Sequence, residues 1–199
     1  MGCFRLKDGG RLGSVHLYVE RQADQVMQSA LKHGRSCLLL GPRQTGKSSM
    51  LARMISALSG PALHFVSIDL DEVLEQPNMT SPRRSATSVA EREFYRELLA
   101  QMMAQLRLSE TLRKEFSEVL CTNIATPYGI LFFNRILQLL VERIPGRIVF
   151  AIDELERMLC WTGRNAFFDR LKSICDGALG EKIQFCLASS IPIHPFVIN

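Results

Sequence analysis

Apolar positions along this chain follow two rhythms. Residues 19–33, VERQADQVMQSALKH, place Val19, Ala23, Val26, Met27, Ala30 and Leu31 at helical spacing, with Gly34 as a stop. SCLLL (36–40) is a short continuous apolar run, the pattern of a strand buried on both faces. A helix is predicted from Lys47 to Leu58, closed by Gly60 and Pro61, and ALHFVSIDL (62–70) reads as a second strand. The polar stretch 71–88, with two prolines, reads as a surface loop. From Val89 to Leu108 a helix carries Phe94, Leu98, Leu99, Met102, Met103 and Leu106 as its apolar stripe. Weaker helical spacing covers 109–120. A stronger pattern runs over 128–143, with Phe132, Phe133, Ile136, Leu139 and Leu140 on its inner side. Pro145 and Gly146 turn the chain into RIVFAID (147–153), 165–176 is helical, and KIQFCLASS (182–190) is a fourth strand.

Strands alternating with helices in this way predict an α/β fold with a mostly parallel sheet. Ligands of such sheets bind beyond the carboxyl ends of the strands. The two polar clusters with chemical content, 41–48 and 153–154, fall at those ends.

Gly41-Pro42-Arg43-Gln44-Thr45-Gly46-Lys47-Ser48 fits G-x-x-x-x-G-K-[ST] in full, after a strand and before a helix. Gly41 and Gly46 are expected to take tight, unusual dihedrals and to let backbone approach an anion. Successive N–H groups then form an anion nest at the positive end of the next helix, which also carries Ser49. Lys47 would reach the β- and γ-phosphates of ATP or ADP, and the Ser48 hydroxyl would ligate Mg²⁺. IVFAIDEL (148–155) supplies the matching acidic strand end. Asp153 would hold Mg²⁺ through water, and Glu154 would act as general base on the attacking water. Ser189 and Ser190, at the end of the fourth strand, fall where a sensor side chain would meet the γ-phosphate. The other reading of this pair is a simple turn.

Other nucleotide classes fit less well. No [NT]KxD tetrapeptide is present to specify guanine, and the Asp-Glu pair with no Arg-rich lid argues against a small-molecule kinase. One strand separates the two Walker motifs in sequence. That suits ATPases with an additional strand between the P-loop strand and the Walker-B strand.

Composition adds limits. The chain has 199 residues, 47% hydrophobic and 22% charged, enough for one sizeable core. A net charge of +4 permits contact with nucleic acid without demanding it. Arg83, Arg84, Arg92 and Arg96 form a modest basic cluster, which reads more readily as a solvated surface than as a nucleic-acid stripe. The six cysteines form no CxxC pair and have no His at ligand spacing, and Cys37 and Cys186 read as small core residues. No signal-peptide pattern or membrane span is read. The expected location is cytoplasmic.

The segments YVERQAD (18–24), GPRQTGKSSM (41–50), FYRELLAQMMAQL (94–106), IVFAIDELERML (148–159) and FCLAS (185–189), in that order, resemble the AAA-like ATPase domains of bacterial multidomain proteins, in the STAND and AAA+ branch of P-loop ATPases. The likeness covers roughly residues 17–195, leaving residues 1–16 as a loose arm before the ATPase core of 17–199. It implies a three-layer α/β/α sandwich and an adenine-nucleotide switch, working with a protein partner or a further module in signalling or defence, with oligomers among the expected states. It also implies that Tyr18, Val19 and Arg21 pass near the adenine. The family's fifth strand, lid and sensor arginine have no counterpart before Asn199, and none of Arg157, Arg164 and Arg170 stands at an arginine-finger position. Slow hydrolysis is the expectation that follows. A non-hydrolysing nucleotide-binding scaffold and a DNA-associated ATPase of origin-recognition or transposition type are the alternatives.

Overall fold

The computed structural model describes residues 20–74, 87–106, 108–122, 129–161 and 163–192. The arm, Tyr18, Val19, Arg83 and Arg84 lie outside them. In chain order the elements are α1 (Gln22–Lys32), β1 (Cys37–Leu40), α2 (Lys47–Leu58), β2 (Leu63–Asp69), α3 (Leu70–Leu74), α4 (Thr87–Gln105), α5 (Glu110–Thr122), α6 (Gly129–Arg143), β3 (Arg147–Asp153), α7 (Arg164–Asp176) and β4 (Ile183–Ser189). Two 3₁₀ segments, Leu155–Cys160 and Ala178–Glu181, follow β3 and α7.

The four strands are all parallel, in the order β1-β4-β3-β2. β4 thus lies between the P-loop strand and the strand ending in Asp153, while β2, the strand between the two motifs in sequence, lies on the far side of β3. Side chains alternate across the sheet. Ile148, Phe150 and Ile152 of β3, with Phe185 and Leu187 of β4, join a core that includes Phe94, Leu98 and Leu99 of α4, Ile136 and Leu140 of α6, and Phe167 and Leu171 of α7. Val149, Ala151, Cys186 and Ala188 point the other way, onto Met27 and Leu31 of α1 and Met50, Leu51 and Met54 of α2. Helices on both faces of a parallel sheet make the three-layer α/β/α sandwich of the P-loop NTPases.

The strands are joined by short devices. Gly34, at φ +79°, ends α1. Gly146, at φ +88°, turns the chain into β3, where a Cβ would lie 2.7 Å from the Ala62 carbonyl oxygen. Arg147 then donates to the Leu31 and Lys32 carbonyls at 3.1 and 2.9 Å, tying the end of α1 to the sheet. On the outer side of β2, the Gln105 amide bonds both the Ser67 N–H (2.8 Å) and the Ser67 carbonyl (2.6 Å), occupying ladder positions that a further strand would use.

Three expectations are corrected. β1 is not buried on both faces: it lies at the edge of the described sheet, Cys37, Leu38 and Leu39 are half-buried, and Leu40 is exposed. Apolar runs mark central and edge strands alike, so periodicity could not place it. Ala23 and Val26 face solvent rather than the core, and the buried side of α1 holds Asp24 with Met27 and Leu31. Asp24 is buried because its carboxylate accepts the Arg21 N–H at 2.8 Å, at the entry to the helix. Finally, the predicted loop 71–88 begins as helix: Leu70 and Val73 are fully buried in α3, and Thr87 and Ser88 already belong to α4.

Candidate functional site

The carboxyl ends of β1, β4, β3 and β2 share one edge of the sheet. Leu40 pairs with Ser189, and Asp69 with Asp153, so two aspartates end adjacent strands side by side. The P-loop leaves β1 at this edge, with the Gly41 N–H donating to the Ser189 carbonyl at 3.3 Å.

The loop is built much as its sequence implies, with one exchange of roles. Gly46 has φ +83° and caps the N-terminus of α2. Gly41 does not use a positive φ; a Cβ there would meet Thr45 Oγ1 at 3.2 Å, a close approach that the Thr45 side chain would have to relieve by a few tenths of an ångström. The second left-handed residue of the loop is instead Gln44, at φ +64°. Thr45 Oγ1 donates to the Pro42 carbonyl at 2.8 Å and closes the turn. Lys47 Nζ donates to the carbonyls of Gly41 (2.8 Å) and Pro42 (2.9 Å), so the ammonium lies folded across its own loop. Ser48 and the buried Ser49 stand in the first turn of α2. That turn has no side-chain cap and no acidic residue, so its positive helix end faces an anion with no competing carboxylate in the turn. The donor set fits a phosphate chain.

Arg21 comes from the segment just before α1, and its Nη1 donates to the Thr45 carbonyl at 2.7 Å. Its guanidinium lies over Gly46, 3.5 Å from where a Cβ would be. Of the residues Tyr18, Val19 and Arg21, this is the one within the described structure, and it meets the P-loop itself.

Across the sheet edge, Asp153 Oδ1 accepts the Glu154 N–H at 2.9 Å. Glu154 is held in the left-handed region at φ +53°. Among the described residues, Gln44 and Glu154 are the non-glycine positions with positive φ, and both belong to this site. Strain of this kind costs about 1–3 kcal/mol and persists where surrounding contacts enforce it. The Glu154 carboxyl is pushed above the usual glutamate range by burial, then by the charge and hydrogen bond of Glu156 and by Asp153, with Arg43 of the P-loop opposing. The two motifs are therefore in electrostatic contact through Arg43 and Glu154.

Glu156 escaped the sequence reading. Its carboxylate accepts from the Ser189 hydroxyl (3.1 Å), the Ser190 N–H (2.9 Å) and, closely, the Ser190 hydroxyl. Although burial alone would raise it, these bonds hold it below the usual glutamate range. Ser190 thus stands just beyond β4 with its hydroxyl engaged by Glu156. The spacing DELE, two carboxylates flanking one apolar position, was the available signal. Asp69 was also missed, although it ends its strand as Asp153 does. Nearby, Arg157 pairs with Asp71 of α3, joining the segments that follow β3 and β2.

A parallel sheet with this strand order, a P-loop on β1 and an acidic end on β3 define a P-loop nucleotide-binding protein. More narrowly, the chain belongs to the AAA-like domain family, whose profile matches residues 9–185. No curated protein matches the chain. Among solved structures it is similar to Thermomonospora curvata EccC (ATPases 2 and 3, in complex with a signal sequence peptide), at 19% identity and a TM-score of 0.38. That similarity covers 83% of this chain and 28% of that one. Among the described residues, no helix is long and apolar enough to cross a membrane.

Proposed function

We propose that this chain binds ATP with Mg²⁺ and hydrolyses it, as the nucleotide-dependent switch of a larger assembly. The observation that carries the reading is the uncapped N-terminus of α2 behind a complete P-loop, with Lys47 folded over it, on the same sheet edge as Asp153 and Glu154. Lys47 would exchange its two carbonyl partners for phosphate oxygens. The backbone N–H groups from Arg43 to Ser49 would line the phosphates. Mg²⁺, held by the Ser48 hydroxyl and through water by Asp153, would supply charge neutralisation on the phosphate oxygens. Glu154 would take the proton of the attacking water, and Ser190 would orient that water or the γ-phosphate. The adenine preference rests on the absent guanine-specifying tetrapeptide and on Arg21 approaching the loop from the segment that starts at Tyr18.

A second reading draws on a specific feature. Burial and the neighbouring charges of Glu156 and Asp153 hold the Glu154 carboxyl above the usual glutamate range, which favours a resting form that holds nucleotide and turns it over slowly. A signalling or defence context rests on the resemblance alone.

Glu154→Gln tests the reading. The variant is expected to bind ATP with Mg²⁺ within about threefold of wild type while turnover falls by about 10²–10⁴. Equal turnover in the two proteins would remove Glu154 as the base.

A further inference from the structure

A carboxylate inside the fold needs a reason, because taking a charge out of water is costly unless something answers it. Among the described residues, Asp24 is the one charged side chain buried so deeply, at 1% exposure. Its Oδ2 accepts the Arg21 N–H at 2.8 Å and lies 3.7 Å from Arg21 Nε. The carboxylate thus holds both the main chain and the side chain of one residue. The backbone bond survives substitution at position 21 by any residue but proline, and a neutral acceptor at position 24 could take it. The approach to Nε calls for opposite charges.

From Asp24 the contacts lead into the phosphate loop. With Nε beside Asp24, Nη1 of the same guanidinium donates to the Thr45 carbonyl at 2.7 Å. The group lies over Gly46, with Nη2 and Nη1 3.5 and 3.7 Å from where a Cβ would be. Carbonyl and N–H of a trans peptide point to opposite sides. Holding the Thr45 carbonyl toward Arg21 therefore turns the Gly46 N–H away from it, and that N–H belongs to the set that would line the phosphates. One residue earlier, Glu20 pairs with Arg53 of α2 at 3.5 Å, so the entry to α1 is tied both to the loop and to the helix behind it.

From this geometry we infer that Asp24 is a positioning residue for the phosphate loop: it sets the Arg21 guanidinium, which holds the Thr45–Gly46 peptide in the orientation that phosphate binding uses. The inference rests on the nucleotide reading above and deepens it, giving a residue of α1, outside both Walker motifs, a part in binding. The guanidinium acts as a rigid bracket. Its nitrogens keep a fixed planar geometry, so anchoring Nε at Asp24 aims Nη1 at Thr45. An Asp at this position also serves as an acceptor at the helix start and suits the helix dipole, but those services act on folding alone.

The test is a double-mutant cycle over wild type, Asp24→Asn, Arg21→Ala and the double variant. Calorimetry with Mg²⁺ and a non-hydrolysable ATP analogue reads affinity, and unfolding midpoints are taken without nucleotide. Asp24→Asn keeps an oxygen for the Arg21 N–H and removes the charge that faces the guanidinium. It is expected to weaken analogue binding by about three- to fivefold, close to the roughly fivefold of Arg21→Ala. The double variant is expected to bind about as Arg21→Ala does, and not with the loss of about 15- to 25-fold that independent effects would give. If Asp24→Asn does not fold, Asp24→Ser, whose hydroxyl also accepts the Arg21 N–H, takes its place in the same cycle.

Wild-type affinity in Asp24→Asn, with only the unfolding midpoint lowered, overturns the inference and leaves the P-loop reading standing. Losses that multiply in the double variant do the same, because Asp24 would then act without Arg21. Absence of any calorimetric signal with wild type overturns the P-loop reading, and the positioning role with it.

Discussion

Replacing Lys47 with alanine separates the two jobs the side chain is given above. In the structure its ammonium makes two hydrogen bonds, 2.8 and 2.9 Å, to the carbonyls of Gly41 and Pro42. These sit in a largely solvent-accessible loop, so water can take over both carbonyls when the ammonium is gone. The cost to folding is accordingly small, below about 1 kcal/mol. The cost to phosphate binding is larger. A charge-assisted hydrogen bond contributes about 1.5–3 kcal/mol, and exchanging two carbonyl contacts for phosphate oxygens gives a net of about 2–4 kcal/mol. That corresponds to about 30- to 1,000-fold in dissociation constant. Calorimetric titration of both proteins with Mg²⁺ and ATP measures the second quantity, and thermal unfolding without nucleotide measures the first. The expected result is a midpoint within about 3 °C of wild type and affinity lower by at least about 30-fold. Affinity within threefold of wild type would refute the assignment of Lys47 to phosphates. A large fall in midpoint without nucleotide would show instead that the lysine is a brace of the loop.

Gly46→Ala places a Cβ at φ +83° and 3.5 Å from the Arg21 guanidinium, so unfolding by heat or urea should show a loss of about 1–2 kcal/mol. Arg21→Ala removes the 2.7 Å bond to the Thr45 carbonyl, and calorimetry should show weaker nucleotide binding by about fivefold with little change in unfolding midpoint. The pH dependence follows from Glu154. Its folded pKa is raised above its unfolded value of 4.5, so the folded state holds the extra proton and this group's contribution to stability falls as pH rises from 4.5 through the raised value. Glu154→Gln should therefore flatten that decline in a pH series of unfolding midpoints and leave the nucleotide-free protein more stable at pH 7, while wild-type turnover should climb over the same window as the base loses its proton.

Much of this fold is legible because its strands are short apolar runs punctuated by glycine and proline. The helix expected from about Lys47 to Leu58 and the strand 147–153 both form over those spans, since Gly46 and Gly146 mark backbone turns that other residues enter with difficulty. What escaped has physical causes. β1 and β4 have the same apolar character, yet one is an edge and the other central, a fact set by pairing and not by composition. Val26 looks like a core residue and is exposed, because Asp24 takes the buried side through its bond to the Arg21 N–H. In the site, the P-loop residues carry a spacing with a known reason, whereas Glu156 offers only the weaker DELE spacing and Asp69 none. Their significance arises only when separate strands end side by side.

The place of β1 at the edge of the described sheet has a consequence for how this part of the molecule opens. Its described strand neighbour is β4 alone, over four paired residues, whereas β3 is clasped between β2 and β4. Local opening should therefore begin at β1, whose detachment would carry Gly41 and the start of the phosphate loop with it. A ligand seated on that loop would resist the detachment by mass action, about 2.7 kcal/mol at a concentration 100 times its dissociation constant. Nucleotide would then act as a peg for the strand with the shortest pairing in the described sheet. Proteolysis near residues 34–42 should report occupancy as directly as any measurement at the phosphates themselves.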